Sequence, residues 1–140
     1  MAERFVHELQ VRYVECDMQG HVFNAHYVTW MDIAHTELFR AAFGPYAAFA
    51  DRGCEIVVAE VGARYRGSAR FDDVVAIEVV LDPLTTSSMT SRHTMRRGDE
   101  VLVEAWVRHV CVDATTWAKR PWPDDVREAF APHVVALPAD

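Results

Sequence analysis

The stretch CDMQGHVFNAH, residues 16 to 26, gathers Cys16, Asp17, His21, Asn24 and His26 at a break between two regular segments. Asp17 ends a strand-like pattern, and Asn24 stands seven residues on, where a helical pattern begins. The first backbone N–H groups of a helix have no partner within it and carry partial positive charge. An acyl carbonyl placed against those at Asn24 to Tyr27 becomes electrophilic, and a carboxylate facing the same space can attack it or deprotonate a water. The chemistry this spacing offers is acyl-group hydrolysis. Gly20 lets the backbone turn sharply between the two parts and approach a ligand. The same residues also fit a turn acid and an N-cap, which are common at strand-to-helix junctions. His21 and His26, five apart across a loop without a third ligand in register, do not make a metal site. Cys16 reads as a small packing residue, since free cysteine usually behaves as a buried hydrophobe.

The elements that must hold these residues can be read from periodicity. Residues 4 to 15 alternate, with Phe5, Leu9, Val11 and Tyr13 on one side of a strand. Tyr27, Trp30, Met31, Ala34, Leu38 and Ala41 recur at helical spacing, which predicts a long, mostly buried helix over 25–43, stopped by Gly44-Pro45. A short helix around YAAFADRG follows, and then four strands, CEIVVAEVGARYRG, DDVVAIEVVL, SSMTSRHTMRR and VLVEAWVRHVCVDA, connected as a meander. Pro123 opens a last short helix with Asp124 and Asp125 in its first turn. The expected fold is α+β, one antiparallel sheet with one long helix against a face. The other face or an edge is then left for a second copy, so a homodimer is the minimum assembly.

With 140 residues and 51% hydrophobic content, the chain is expected to be one domain over 1–140 with a real core. It carries 21 acidic against 14 basic residues, a formal charge of −7, and no long basic run, which argues against nucleic acid as a partner. No stretch approaches the roughly 18 apolar residues of a membrane span, and the N-terminus lacks a leader pattern, so a cytoplasmic protein is expected. Cys16, Cys54 and Cys111 are odd in number and show no CxxC spacing, which implies reduced thiols.

From about Phe5 to Ala129 the chain resembles the 4-hydroxybenzoyl-CoA thioesterase family of hotdog-fold proteins. The most specific part is ECDMQGHVFNAHYVTWMD, similar to the family's aspartate, a glycine three residues on, a turn, then Tyr and a helix. The resemblance implies a hotdog fold, an antiparallel sheet wrapped around one central helix, assembled as a homodimer or homotetramer with sites at the dimer interface. It also implies acyl-CoA thioester hydrolysis without metal or cofactor. Asp17 falls on the catalytic carboxylate, and Asn24 on the position whose N–H polarises the thioester carbonyl. Gly20, His21, Tyr27, Trp30 and Asp32 fall on substrate-binding positions, and an acid equivalent to Asp32 approaches the ring hydroxyl in the Pseudomonas-type enzymes. Here His21 replaces an aliphatic residue, and LDPLTTSS lacks the basic residues that could hold CoA phosphates. Arg66, Arg70, Arg92, Arg96 and Arg97 are the remaining cations for that task, with Arg66 and Arg92 foremost.

The reading is therefore an aryl- or medium-chain acyl-CoA thioesterase, with 4-hydroxybenzoyl-CoA as one substrate candidate. Its rivals are a thioesterase acting on acyl carrier protein and a non-catalytic acyl-CoA-binding module. On helical geometry Asp32 shares a side with Val28, Phe39 and Phe43, next to the apolar stripe, while Thr29, Thr36, Glu37 and Arg40 form the solvated arc.

Overall fold

Residues 4–136 are described by the structure, a computed structural model. Strand β1 (Phe5–Gln10) is followed by a 3-10 turn (Tyr13–Glu15) and helix α1 (Asn24–Ala42), then by the short helix α2 (Tyr46–Ala50). Strands β2 (Cys54–Tyr65), β3 (Val74–Leu81), β4 (Ser88–Arg97) and β5 (Glu100–Asp113) complete an antiparallel sheet, and helix α3 (Asp124–Phe130) is followed by a 3-10 turn (Ala131–His133) that returns the chain to Leu81 of β3.

The sheet order is β1-β3-β4-β5-β2, which corrects the four-strand meander. Only β3, β4 and β5 run as one. β1 already occupies the free edge of β3, pairing Leu9 with Val75 and His7 with Ile77, so β2 lies at the far edge on β5. The crossing between β2 and β3 passes the start of α1 and forms one wall of the site described below. At the edge, the Trp106 indole lies over Gly62, its partner in register, and donates to Glu60 Oε1 at 2.9 Å. A β-carbon at Gly62 would come within 1.9 Å of that ring, so the contact requires glycine there.

Alternation makes the core. Val75, Ile77, Val79 and Leu81 of β3 and Met89 and Met95 of β4 turn one face toward Tyr27, Trp30, Met31, Ala34 and Leu38 of α1, all buried. At the C-terminal end of α1, Phe39 packs edge-on against Phe49 and Phe130 at 5.4 and 5.3 Å, which fixes α2 and α3 to the helix. Among the described residues no helix is long and apolar enough to cross a membrane.

The first strand is shorter than its alternation predicts. Val11 is buried and exchanges backbone bonds with Asp72 and Asp73, but Tyr13 is 80% exposed. Glu15 causes the break: its carboxylate accepts the Arg12 N–H at 2.8 Å and the Trp30 indole N–H at 2.7 Å, and this folds 13–15 into a turn.

Candidate active site

Asp17 begins a tight turn. Its Oδ1 accepts the Gln19 N–H at 2.8 Å, its carbonyl accepts the Gly20 N–H at 3.0 Å, and its own N–H donates to the His21 carbonyl at 2.8 Å. Gly20 has φ +79°, the left-handed region in which a side chain is strained, so its place in the turn is conformational. The second carboxylate oxygen of Asp17 takes no donor from the described residues.

The turn delivers the chain to α1 at Phe23, the N-cap, which supplies no side-chain cap. Asn24 is thus the first helical residue rather than the cap; the Phe23 N–H donates to the Glu15 carbonyl and the His26 N–H to the Phe23 carbonyl, both at 2.9 Å, which leaves the Asn24 and Ala25 N–H groups for a ligand. Around them lies a cleft of about 180 Å³ lined by Asp17, His21, Asn24, Tyr27, Tyr65 and Ser68, among others. On its other side Asp17 borders an open depression with Tyr13, Met18 and Phe71.

The far wall is the β2–β3 crossing, held at several points. The Ala69 N–H donates to the Tyr27 hydroxyl at 2.9 Å, and the Ala69 carbonyl accepts the Val22 N–H at 2.9 Å. Arg97 reaches the Ser68 carbonyl and Asp73 at 3.2 and 2.7 Å. Tyr65 Oη donates to the Asn24 carbonyl at 3.2 Å.

The structure thus brings Asp17, Gly20, His21, Asn24 and Tyr27 together. Tyr27 is only 2% exposed, and its hydroxyl is engaged with the wall. Trp30, expected at substrate, lies in the core at 1% exposure with its N–H on Glu15; it does not line the cleft but packs edge-on behind Tyr27 at 5.0 Å. Arg66 and Arg92 are also elsewhere: Arg66 pairs with Glu104 at 3.0 Å, and Arg92 grips Asp82 with two bonds of 2.8 and 2.9 Å on the outer sheet face. Arg70 is the cation whose backbone bridges His21. Glu15, Tyr65 and Ser68 were not singled out by sequence reasoning. The carboxylate two residues before Asp17 was the available signal for Glu15.

Asp32 shares a cavity with Phe39, as helical geometry predicts, but is not buried by it. It is exposed, and with Thr36 and Arg40 it lines a second cavity of about 250 Å³ between α1 and β2. The solvated arc and the Asp32 side merge here because Tyr46, Ile56 and Val58 reach over them. Deeper in, His35 and His109 stack at 4.1 Å, with His93 nearby hydrogen-bonded to Ser91 at 2.9 Å.

Burial first, and then neighbouring imidazoles, hold His35 well below the usual histidine range; burial and His109 bring His93 to about 4. His109 is brought to about 4 by burial, with Asp32 opposing. Their unfolded forms take up protons at about 6.5, so the folded state binds fewer protons between the two values. Stability is fully present above about pH 6.5 and is lost as pH falls toward 4, on the order of 3 kcal/mol for each of His93 and His109. The lowered carboxylates Glu15 and Asp73 act only below about pH 4.5. Urea midpoints should therefore fall steadily from pH 6.5 to 4.5, and a flat profile across that window would contradict neutral buried histidines.

An antiparallel sheet around one helix, with a carboxylate turn facing that helix's N-terminus, defines a hotdog-fold thioester hydrolase. The chain belongs to the thioesterase-like superfamily, whose family model matches residues 11–130. It is 30% identical over 124 residues to the acyl-CoA thioester hydrolase YbgC of Escherichia coli O6:H1, covering 87% of this chain and 92% of that protein. Its fold is similar to the crystal structure of TT1821 from Thermus thermophilus, with TM-score 0.86, 27% identity, and coverage of 95% of this chain and 99% of that one. It is also similar to the BH1999 gentisyl-coenzyme A thioesterase, with TM-score 0.81, 25% identity, and coverage of 90% and 99%.

Proposed function

We propose that this thioesterase hydrolyses an aryl- or medium-chain acyl-CoA, with 4-hydroxybenzoyl-CoA among its candidate substrates, to the free acid and CoA. The observation that carries this is the single cleft in which Asp17 faces the uncapped N-terminus of α1. The thioester carbonyl sits against the N–H groups at Asn24, and negative charge developing on its oxygen is stabilised there. Either Asp17 takes a proton from the water that attacks, or it attacks itself to give a mixed anhydride that water then hydrolyses; in both the C–S bond breaks to release the thiolate of CoA, and the acid leaves with the oxygen of water. His21 and Tyr27 shape the cleft, and Arg70 is the cation best placed for a CoA phosphate. Phosphate at Arg66 or Arg92 must first displace a carboxylate. Relatives named as an acyl-CoA thioester hydrolase and a gentisyl-coenzyme A thioesterase support this substrate class.

We further infer a homodimer, itself able to pair into a tetramer. β2 is an uncovered edge strand with Val58, Val61 and Tyr65 exposed. Two copies pairing antiparallel about the strand's midpoint set the Tyr65 end of one against the Cys54 end of the other, which brings the Asp17 cleft of each to the α1–β2 cavity of its mate.

Thiol release from benzoyl-, 4-hydroxybenzoyl-, hexanoyl- and decanoyl-CoA, and from the same acyl groups on an acyl carrier protein, tests the reading on a species sized by light scattering. Release from at least one acyl-CoA by a dimer or tetramer is expected. Binding without release would leave a non-catalytic module, and release from the carrier protein alone would change the thiol.

A further inference from the structure

The α1–β2 cavity holds groups that bond making and breaking at Asp17 does not use. His35 and His109 are 4% and 5% exposed, and their rings stack at 26°. Among the described residues, His35 Nε2 and His109 Nδ1 are buried without a hydrogen-bond partner, and so is Nδ1 of His93 behind them. A neutral imidazole has one donor and one acceptor nitrogen, and a buried polar atom without a partner is costly. Among the lining residues, Phe39, Ile56 and Val58 offer these nitrogens nothing, Asp32 and Arg40 are exposed, the Tyr46 hydroxyl donates to Glu55, and Thr36 makes no bond to them. A plain hydrocarbon tail would leave the orphaned atoms as they are. A ligand oxygen would satisfy them.

Reach decides which catalytic cleft the cavity serves. Asp32 lies eight residues beyond Asn24, about 12 Å along the helix, which exceeds the length of one aryl group within a single protomer. The antiparallel dimer places the mate's cleft at this cavity instead. Within the shared arrangement inferred above, we propose that His109 with His35 is the specificity-determining pair of this cavity and binds a hydroxyl or carbonyl oxygen at the distal end of the acyl group. This rests on the thioesterase reading above. It assigns discrimination to the uncharged histidines inside, with Asp32 at the mouth.

The test compares kcat/KM for benzoyl-CoA with that for its 2-, 3- and 4-hydroxy derivatives. Wild-type protein should prefer the best hydroxylated substrate by at least about tenfold, as expected of a site built to bond a hydroxyl. His109→Phe keeps the stacked ring and removes its nitrogens, so the ratio should fall toward one, mainly by slowing the hydroxylated substrate. His35→Phe provides an independent variant if the first fails to fold. Co-expressed Asp17→Asn and His109→Phe chains then form mixed dimers in which one site has Asp17 and His109 both intact. Recovery of the hydroxyl preference in those dimers supports the shared pocket.

An unchanged ratio in both phenylalanine variants, or its collapse only in Asp32→Asn, overturns the histidine assignment and leaves the thioesterase intact. Preference that stays lost in the mixed dimers overturns the sharing between copies. If wild type releases no thiol from any acyl-CoA, the thioesterase reading itself falls. Calorimetric binding of the hydroxybenzoates against benzoate to wild type and His109→Phe then decides the cavity separately, and equal affinities would overturn it.

Discussion

Replacing Asp17 by Asn should lower kcat at least about a hundredfold, the low end for losing general-base catalysis, while a non-hydrolysable acyl-CoA analogue still binds. The substitution keeps the side-chain shape and the acceptor for the Gln19 N–H, so the turn into α1 survives. What disappears is the negative charge, and with it both nucleophilicity and basicity. The loss should fall on kcat rather than KM, because the carboxylate acts on the carbonyl as the bond changes and not on the CoA arm. Steady-state kinetics with the best acyl-CoA of the panel would show this. A variant turning over at near wild-type rate would remove Asp17 from the mechanism, and a variant that neither binds nor turns over would point to a collapsed turn.

The second large effect is structural and lies two residues earlier. Glu15 is 4% exposed and accepts both the Trp30 indole N–H and the Arg12 N–H, so it ties the approach to Asp17 to the middle of α1. Burial alone would raise its pKa, but these donors outweigh burial and hold it below the usual glutamate value. Glu15→Ala strands a buried indole donor and removes two charge-assisted bonds, at a cost of about 3–4 kcal/mol. For a chain of this size that corresponds to a fall in Tm on the order of 10 °C. Glu15→Gln keeps an acceptor and should recover part of it. A Glu15→Ala protein melting within two or three degrees of wild type would show that the latch contributes little.

The long helix, the short helix after Gly44-Pro45, and β2 to β5 were legible because burial imposes periods of 3.6 and 2 on those segments. The position of β2 was not. Alternation tells which face a strand buries and says nothing of its neighbour, so the edge pairing with β5 depended on β1 taking the far side of β3. Of the site, Asp17, His21, Asn24 and Tyr27 could be read together because they are local in sequence. The Glu15 bond of Trp30 was not legible, because a helix-facing tryptophan beside a ligand looks the same in sequence as one bonded to a buried glutamate. The His35–His109 pair joins two elements 74 positions apart, and no pattern within either segment signals it. Helical geometry puts Asp32 on the side of Phe39 but omits what Tyr46 and β2 bring over that side.

The wall stitched by Ala69 has a consequence for how a substrate meets this cleft. Val22 and Tyr27, on either side of the helix start, hold the same crossing residue, while Arg97 holds the Ser68 carbonyl of the peptide whose N–H meets Tyr27. A pocket so framed has little ordering left to do when a molecule arrives, and immobilising loops is one of the main entropic penalties of association. On the proposed reaction, N–H donors fixed at the helix start would leave solvent little reorganising to do as the carbonyl oxygen gains charge.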